Sequence, residues 1–310
     1  MRKIKVLVSG ASGFIGRNLS EHLASRPEQY EVLACTDATA DLRDSEAVKR
    51  LVEAFSPDRI INCAAIVGTR KNAYGQGGED IVAVNLRIFF NLLRAMRPDA
   101  RLIQLGSGAE YDFRAYQPKI KEEAFGASVP EDPYGFSKYV ASAYAEKASN
   151  VTVLRIFGIY GRYEDYTFKF ISNAIVKNLL GLPIVINQNA KFDYLYIGDF
   201  VKLVEPFLRG VPRWAHYNIT PTQSADLLSL AGLINGTGER KSEVRVINPG
   251  LNKECTGSNA RLLAEFPGVE FTSYAEGIKE LYAYYRENLA KLDLAAVKED
   301  AYLKNCRTTL

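Results

Sequence analysis

The stretch Lys5-Val6-Leu7-Val8-Ser9-Gly10-Ala11-Ser12-Gly13-Phe14-Ile15-Gly16 decides the architecture of this 310-residue chain. Residues 5–9 form an apolar burst of the length of one buried strand, and residues 14–25 carry the apolar spacing of a helix. Between them three glycines stand three apart. A strand-to-helix turn that holds a phosphate needs residues without Cβ where the chain bends and where it approaches the anion. It also needs a helix N-terminus whose free N–H groups and positive dipole end face that anion. Gly10 then makes the turn, Gly13 the close approach and Gly16 the tight helix–strand contact, with Ser12, Phe14 and Ile15 completing the loop. A glycine-rich turn without function is the alternative, but the junction of a first strand with a first helix is where dinucleotide binding requires the motif.

The same rhythm continues outward. Short strands read at 31–35, 59–64, 101–105 and 151–156 alternate with helices at 45–55, 81–96 and 134–148. Strands separated by such helices indicate βαβ units, hence an α/β fold with a Rossmann-type doubly wound parallel sheet. The helix near Tyr134 has a start signal, since Asp132 can cap it and Pro133 suits the first helical position. After Tyr160 the segments read as shorter, and Pro183, Pro212, Pro221, Pro249 and Pro267 interrupt them. We expect an NAD(P)-binding domain over 1–161 with a return segment near 193–230. A smaller mixed α/β substrate domain is expected over 162–192 and 231–310, and the tail after Leu292 reads as one further helix.

Composition excludes much else. Lys plus Arg at 39 against Asp plus Glu at 36 gives a formal charge of +3, with no long run of either sign, so neither nucleic acid nor a membrane surface is indicated as a partner. The two histidines, His22 and His216, are far apart in sequence, which leaves almost nothing for a zinc site, a Ser-His-Asp hydrolase or histidine acid–base chemistry. Four scattered cysteines argue against a disulfide framework or a structural metal and fit a reducing compartment. The apolar run before Gly10 is too short for a signal peptide, and no long apolar run suits a membrane span, so a soluble, cytoplasmic protein with no metal is expected.

Tyr134-Gly135-Phe136-Ser137-Lys138 is the chain's only Y-x-x-x-K. At this composition about one such pair arises by chance, so its placement on a helix carries the weight. Residues four apart share a helix face, and an ammonium beside a phenol favours the phenolate, bringing a group that ordinarily titrates near 10 toward working pH. Such a tyrosine can pass a proton to or from a sugar hydroxyl while hydride moves to or from nicotinamide.

With its G-x-x-G-x-x-G loop and this helix, the chain resembles the extended short-chain dehydrogenase/reductases, the group of NDP-sugar epimerases, dehydratases and reductases, to about Tyr285. In Leu105-Gly106-Ser107-Gly108-Ala109-Glu110-Tyr111 the resemblance makes Ser107 the third catalytic member beside Tyr134 and Lys138. Read alone, Ser107 is a loop serine making a local backbone bond. The resemblance further implies NAD or NADP as cofactor, held by the glycine loop, Asp37, Asp41, Leu42, Ala64, Ala65, Asn85 and Lys138. A nucleotide-sugar substrate and a homodimer through two helices per subunit follow from it too. Asn85 could equally satisfy a backbone group.

Departures from the family pattern narrow the chemistry. Its 4,6-dehydratases carry an Asp-Glu pair immediately after the catalytic Thr, where this chain has Gly108 and Ala109. Glu110 is one step out of register and, on an extended segment, would point the other way. GDP-fucose synthase has a Cys at the Ala109 position, so its epimerisation is disfavoured as well. The short segment 31–44 resembles the reductases of the family. An NAD(P)-dependent reductase of a nucleotide-linked 4-keto-6-deoxy sugar is therefore the leading expectation. An NDP-sugar 4-epimerase and a non-catalytic dinucleotide-binding sensor are the alternatives. The arginine that NADP-dependent relatives place after strand two is missing and Ser12 occupies another basic position, while Asp37 could bond a ribose hydroxyl or be a solvated loop residue. On the substrate side, Gly158 replaces a common Asn and Phe192, beside Lys191, replaces an Arg. Tyr160, with Tyr163, Tyr166 and Phe168, suits either a sugar pocket or aromatic packing between domains.

Overall fold

The computed structural model describes residues 2–67, 80–304 and 306. Its centre is a six-stranded sheet made of β1 (Ile4–Ser9), β2 (Tyr30–Cys35), β3 (Arg59–Asn62), β4 (Arg101–Ser107), β5 (Val151–Ile156) and β10 (His216–Ile219). The order is β10-β5-β4-β3-β1-β2 and every pairing is parallel. From β1 the chain first builds outward to β2, then returns to add β3, β4 and β5 on the other side. The order thus reverses between β1 and β3, and a crevice opens beyond their carboxyl ends, where doubly wound sheets hold ligands.

Both faces of the sheet are covered, and the alternation of side chains along each strand decides what goes where. Val6 and Val8 of β1 enter one core with Leu19 and Leu23 of α1 (Phe14–Ala24) and Phe200, Val204 and Phe207 of α6 (Ile197–Arg209). Leu7, between them, enters the opposite core with Val48 and Val52 of α2 (Ser45–Phe55), Phe89 and Leu92 of α3 (Ile81–Ala95) and Ala141 of α4 (Pro133–Ala145). Strands buried on both faces read as continuous apolar runs, which is why they stood out in the sequence.

A third core gathers α5 (Phe170–Leu179), β7 (Ile184–Asn189), α7 (Leu227–Thr237) and α9 (Tyr274–Asn288). β7 pairs in parallel with β12 (Val244–Leu251). Short pairs join β6 (Gly158–Tyr160) to β9 (Tyr194–Tyr196) and β8 (Lys191–Phe192) to β11 (Ala225–Asp226). The expected shortening of segments after Tyr160 does not hold for the helices. α6 has 13 residues and α9 has 15, as long as those of the first half. The prolines named above fall between helices, while Pro206 lies inside α6 and, having no N–H, leaves that turn one backbone hydrogen bond short. α8 (Ala260–Glu265) precedes α9, and beyond α9 the tail makes two short helices rather than one, α10 (Leu294–Lys298) and α11 (Ala301–Lys304). Buried Val297 and an Asp300–Lys177 ion pair of 2.7 Å hold it down. Among the described residues no helix is long and apolar enough to cross a membrane.

Candidate active site

The glycine loop leaves β1 as a tight turn. Gly10 has φ +63°, and a Cβ there would lie 2.8 Å from the Ala64 backbone nitrogen at the end of β3. A Cβ on Gly16 would stand 2.3 Å from the Gly10 carbonyl oxygen, so α1 presses directly on the strand end. Gly13 differs: a Cβ there would approach only the Gly10 oxygen, at 3.3 Å, so its lack of a side chain leaves open a path from outside. No side chain caps α1, and no acidic residue occupies its first turn. The positive end of this helix and a cradle a Cβ would fill suit a dinucleotide pyrophosphate. Ser12 is exposed, Phe14 and Ile15 are half-buried, and Ala11 N donates to Cys35 O, tying the loop to β2.

The other cofactor-side residues lie at the same edge. Asp37 is exposed in the turn after β2; Asp41 is held by Arg43 at 2.9 Å, and the buried Leu42 gives its carbonyl to Asn91. Ala64 and Ala65 form the half-buried loop after β3. Asn85 does satisfy backbone groups there. Its Oδ1 accepts from Ile66 N at 2.7 Å and its Nδ2 donates to Ile66 O, but Nδ2 also reaches Ser137 Oγ at 3.1 Å, on α4. Asn85 therefore ties the β3 loop to the helix that carries Tyr134 and Lys138. Ser137, which accepts this bond and donates to Tyr134 O, has no sequence signal beyond its place inside Y-x-x-x-K.

Asp132 caps α4 by accepting from Gly135 N at 2.8 Å, and Pro133 opens the helix. A Cβ on Gly135 would come within 2.5 Å of Ala109 O, so the first turn of α4 sits against the turn that follows Ser107. That contact brings the serine and tyrosine segments together. Ser107 Oγ accepts from Ala109 N at 3.1 Å, a bond that uses a lone pair and not the hydroxyl proton. Lys138 is buried, and its Nζ donates to Leu105 O at 2.8 Å, with Nζ 5.7 Å from the centre of the Tyr134 ring. Burial pushes the Lys138 ammonium down to about 8, against the support of Glu110 and Cys63.

Beneath the site runs a buried polar chain that the apolar strand patterns concealed. Ser9 Oγ donates to Asn62 Oδ1 at 2.6 Å, Asn62 Nδ2 to Gln104 Oε1 at 2.8 Å, and Gln104 Nε2 to the same Leu105 oxygen that holds Lys138. Glu110 also departs from expectation. The segment after Ser107 is a 3-10 turn, Gly108–Glu110, not an extended one, and the Glu110 side chain turns inward to Arg155 at 2.5 Å, both side chains wholly buried. A charged residue within the all-buried β5 was the available signal for such a partner.

Arg155 also contacts His216 Nδ1 at 3.0 Å. A guanidinium can only donate, so Nδ1 is unprotonated, and burial together with Arg155 and Arg261 pushes His216 down to about 3. The unfolded chain then binds the extra proton between about pH 3 and 6.5, so stability falls as pH drops through that window. At pH 4 the loss is on the order of 3 kcal/mol. Denaturant unfolding at pH 7 and pH 4 should show it, and His216→Gln should flatten the difference.

On the substrate side, Gly158 opens β6 opposite Tyr194, where a Cβ would meet the Tyr194 ring at 2.9 Å. The Tyr160 ring is 1% exposed within the third core and packs against Tyr196 and Tyr274, with ring centres 5.5 and 6.5 Å away. Lys191 is exposed in β8, and Phe192 packs on Tyr194 with ring centres 5.4 Å apart. Lys119, absent from the sequence reading, reaches fully buried Asp193 at 3.1 Å. Asp193 also accepts from Ser224 Oγ and Gly257 N, joining three loops far apart in sequence.

Residues 6–220 match the NAD dependent epimerase/dehydratase family. The chain belongs to that family. It is an extended short-chain dehydrogenase/reductase, and the family's nicotinamide dinucleotide cofactors, NAD or NADP, match the glycine cradle. A protein of Bacillus subtilis named as an uncharacterised UDP-glucose epimerase is 25% identical over 91% of this chain and 98% of its own length. UDP-2-acetamido-2,6-beta-L-arabino-hexul-4-ose reductase of Pseudomonas aeruginosa is 26% identical over 67% of this chain and 50% of its own. In fold, the chain superposes on a GDP-L-fucose synthetase from Naegleria fowleri bound to NADP with a TM-score of 0.79 at 18% identity, covering 94% of this chain and 95% of that one.

Proposed function

We propose that the protein is an NAD(P)-dependent reductase of a nucleotide-linked 4-keto-6-deoxy sugar. The observation that carries this reading is what surrounds Ser107. Gly108 and Ala109 bring no acid, base or thiol, and the Glu110 carboxylate is committed to Arg155, so hydride chemistry at one carbon remains. Ser107 donates a hydrogen bond to the sugar carbonyl and polarises it while keeping its proton. Tyr134 delivers the proton to the oxygen as the carbonyl is reduced, and Lys138 holds a ribose hydroxyl of the cofactor while its charge eases proton loss from Tyr134. Loop 10–16, Asp37, Asp41, Leu42, Ala64, Ala65 and Asn85 hold the dinucleotide, which supplies the hydride when bound. Gly158, Lys191 and Phe192 border the nucleotide of the substrate.

Incubation with NADH or NADPH and a panel of NDP-4-keto-6-deoxyhexoses should consume cofactor and yield the 4-hydroxy sugar. A second reading, a 4-epimerase, is favoured by the near full-length likeness to the Bacillus subtilis protein. It takes first place if an NDP-sugar is interconverted with its epimer without net cofactor consumption and NAD co-purifies.

Asp37 favours NAD, because its exposed carboxylate accepts from a ribose hydroxyl and repels a 2′-phosphate. Asp37→Ala should shift the NADH-to-NADPH ratio of kcat/KM toward NADPH by about tenfold; an unchanged ratio removes the residue from cofactor selection. We place a homodimer on the outer faces of α3 and α4, where Phe90 and Tyr144 stack edge-on at 5.5 Å and Phe136 and Tyr144 are exposed. Light scattering of Tyr144→Glu should show monomers where the native chain shows dimers.

A further inference from the structure

We propose that Glu110 is a positioning residue for the catalytic set, joining the Ser107 strand end to the helix that carries Lys138. The proposal rests on the catalytic reading above. Three bonds converge on the one carboxylate: Ser107 N donates to Oε1 at 2.8 Å, Ser142 Oγ to Oε2 at 2.5 Å, and Arg155 Nε to Oε2 at 2.5 Å. Ser107 ends β4, Ser142 lies one helical turn beyond Lys138 on α4, and Arg155 belongs to β5, so Glu110 locks three elements in register beneath the reacting groups. Glu110 is 1% exposed, and a Cβ on Gly106 would lie 2.4 Å from its Oε1, so the carboxylate has no room for another position.

Its charge matters as much as its bonds. Lys138 is buried with a neutral carbonyl as its hydrogen-bond acceptor, and burial favours loss of its proton. The groups acting on it are Glu110 from the turn after β4 and Cys63 from the end of β3, with Tyr134 on its own helix. Arg155, bonded to Glu110, also reaches Tyr111 Oη and the neutral His216. Paired with Arg155 at 2.5 Å, the Glu110 carboxylate supports the Lys138 proton against burial. Without that charge, Lys138 loses its proton at lower pH and no longer assists Tyr134.

The test uses Glu110→Gln, Ser142→Ala and the paired Glu110→Gln/Arg155→Met, which leaves no buried charge without a partner. Two readouts are followed from pH 6 to 9.5: NADH and NADPH affinity by fluorescence, which needs no sugar, and turnover of the NDP-4-keto sugar. In the native protein both should weaken along an alkaline limb. Both Glu110 variants should move that limb down by about one pH unit, losing about tenfold at pH 8.5 and little at pH 6.5. Ser142→Ala keeps the charge and should leave the limb in place. A folded Glu110 variant with the native limb, or an equal loss at every pH, overturns the proposal. So does failure of both Glu110 variants to fold, which would make the ion pair a stability element alone. A limb that moves in cofactor affinity while no nucleotide sugar is turned over sustains the proposal and defeats the reductase reading. Turnover with an unmoved limb does the reverse.

Discussion

Replacing Tyr134 by Phe is expected to lower turnover by a factor of roughly 10²–10⁴ while the protein stays folded and still binds its cofactor. The substitution removes one oxygen. The cap on α4 runs from Asp132 to Gly135 N, and the Ser137 bond goes to the Tyr134 backbone, so both survive. The stability change should be about 1 kcal/mol, the worth of one hydrogen bond. Loop 10–16 is untouched, so NADH or NADPH should still quench or shift in fluorescence and still raise the melting temperature. Lys138→Met should behave differently. Its ammonium is assigned both to the ribose and to Tyr134, so turnover and cofactor affinity should fall together. A folded Tyr134→Phe variant that turns over like the native protein would remove this helix from catalysis and raise the dinucleotide-binding sensor to first place.

Gly16→Ala is expected to cost about 1–3 kcal/mol of stability and to weaken cofactor binding about tenfold or more. The added methyl would stand 2.3 Å from the Gly10 oxygen and 2.8 Å from its carbon, both backbone atoms that no rotamer change can clear. Either α1 lifts off β1, against the fully buried Leu19 and Leu23, or the turn at Gly10 deforms. Gly13→Ala separates the two effects. Its methyl would stand 3.3 Å from the Gly10 oxygen, which needs a shift of only a few tenths of an ångström, so stability should fall less than for Gly16→Ala, while affinity should still drop if the pyrophosphate approaches here. Thermal melts with and without cofactor measure both. Native-like binding by Gly13→Ala would mean that the dinucleotide does not approach this turn.

The strands and helices of the first half were legible because they obey local rules. β1, β3, β4 and β5 carry apolar residues on both faces, the helices between them have an apolar stripe, and Asp132-Pro133 is a start signal that needs only three residues. The glycine loop and the Tyr134–Lys138 spacing are local too, since each depends on residues within one turn. The second half was less legible. The β6–β9 and β8–β11 strands have three and two residues, too short for any periodicity. Proline spacing suggested short segments there, although α9 runs 15 residues.

Residue types and their spacing along the chain were enough to read the doubly wound fold, the glycine turn and the shared helix face of Tyr134 and Lys138, because side chains one strand step or one helical turn apart have a predictable direction; Ser107 joined them only through the family resemblance. Where Glu110 points was not a local matter. Its one-step offset implied an outward side chain, but the turn it occupies and the charge on Arg155, 45 residues away, draw it inward. The same holds for Lys119 against Asp193 and for the chain from Ser9 through Asn62 and Gln104 to Leu105. A buried polar group must find a partner, and only the packing of distant strands decides which one is within reach.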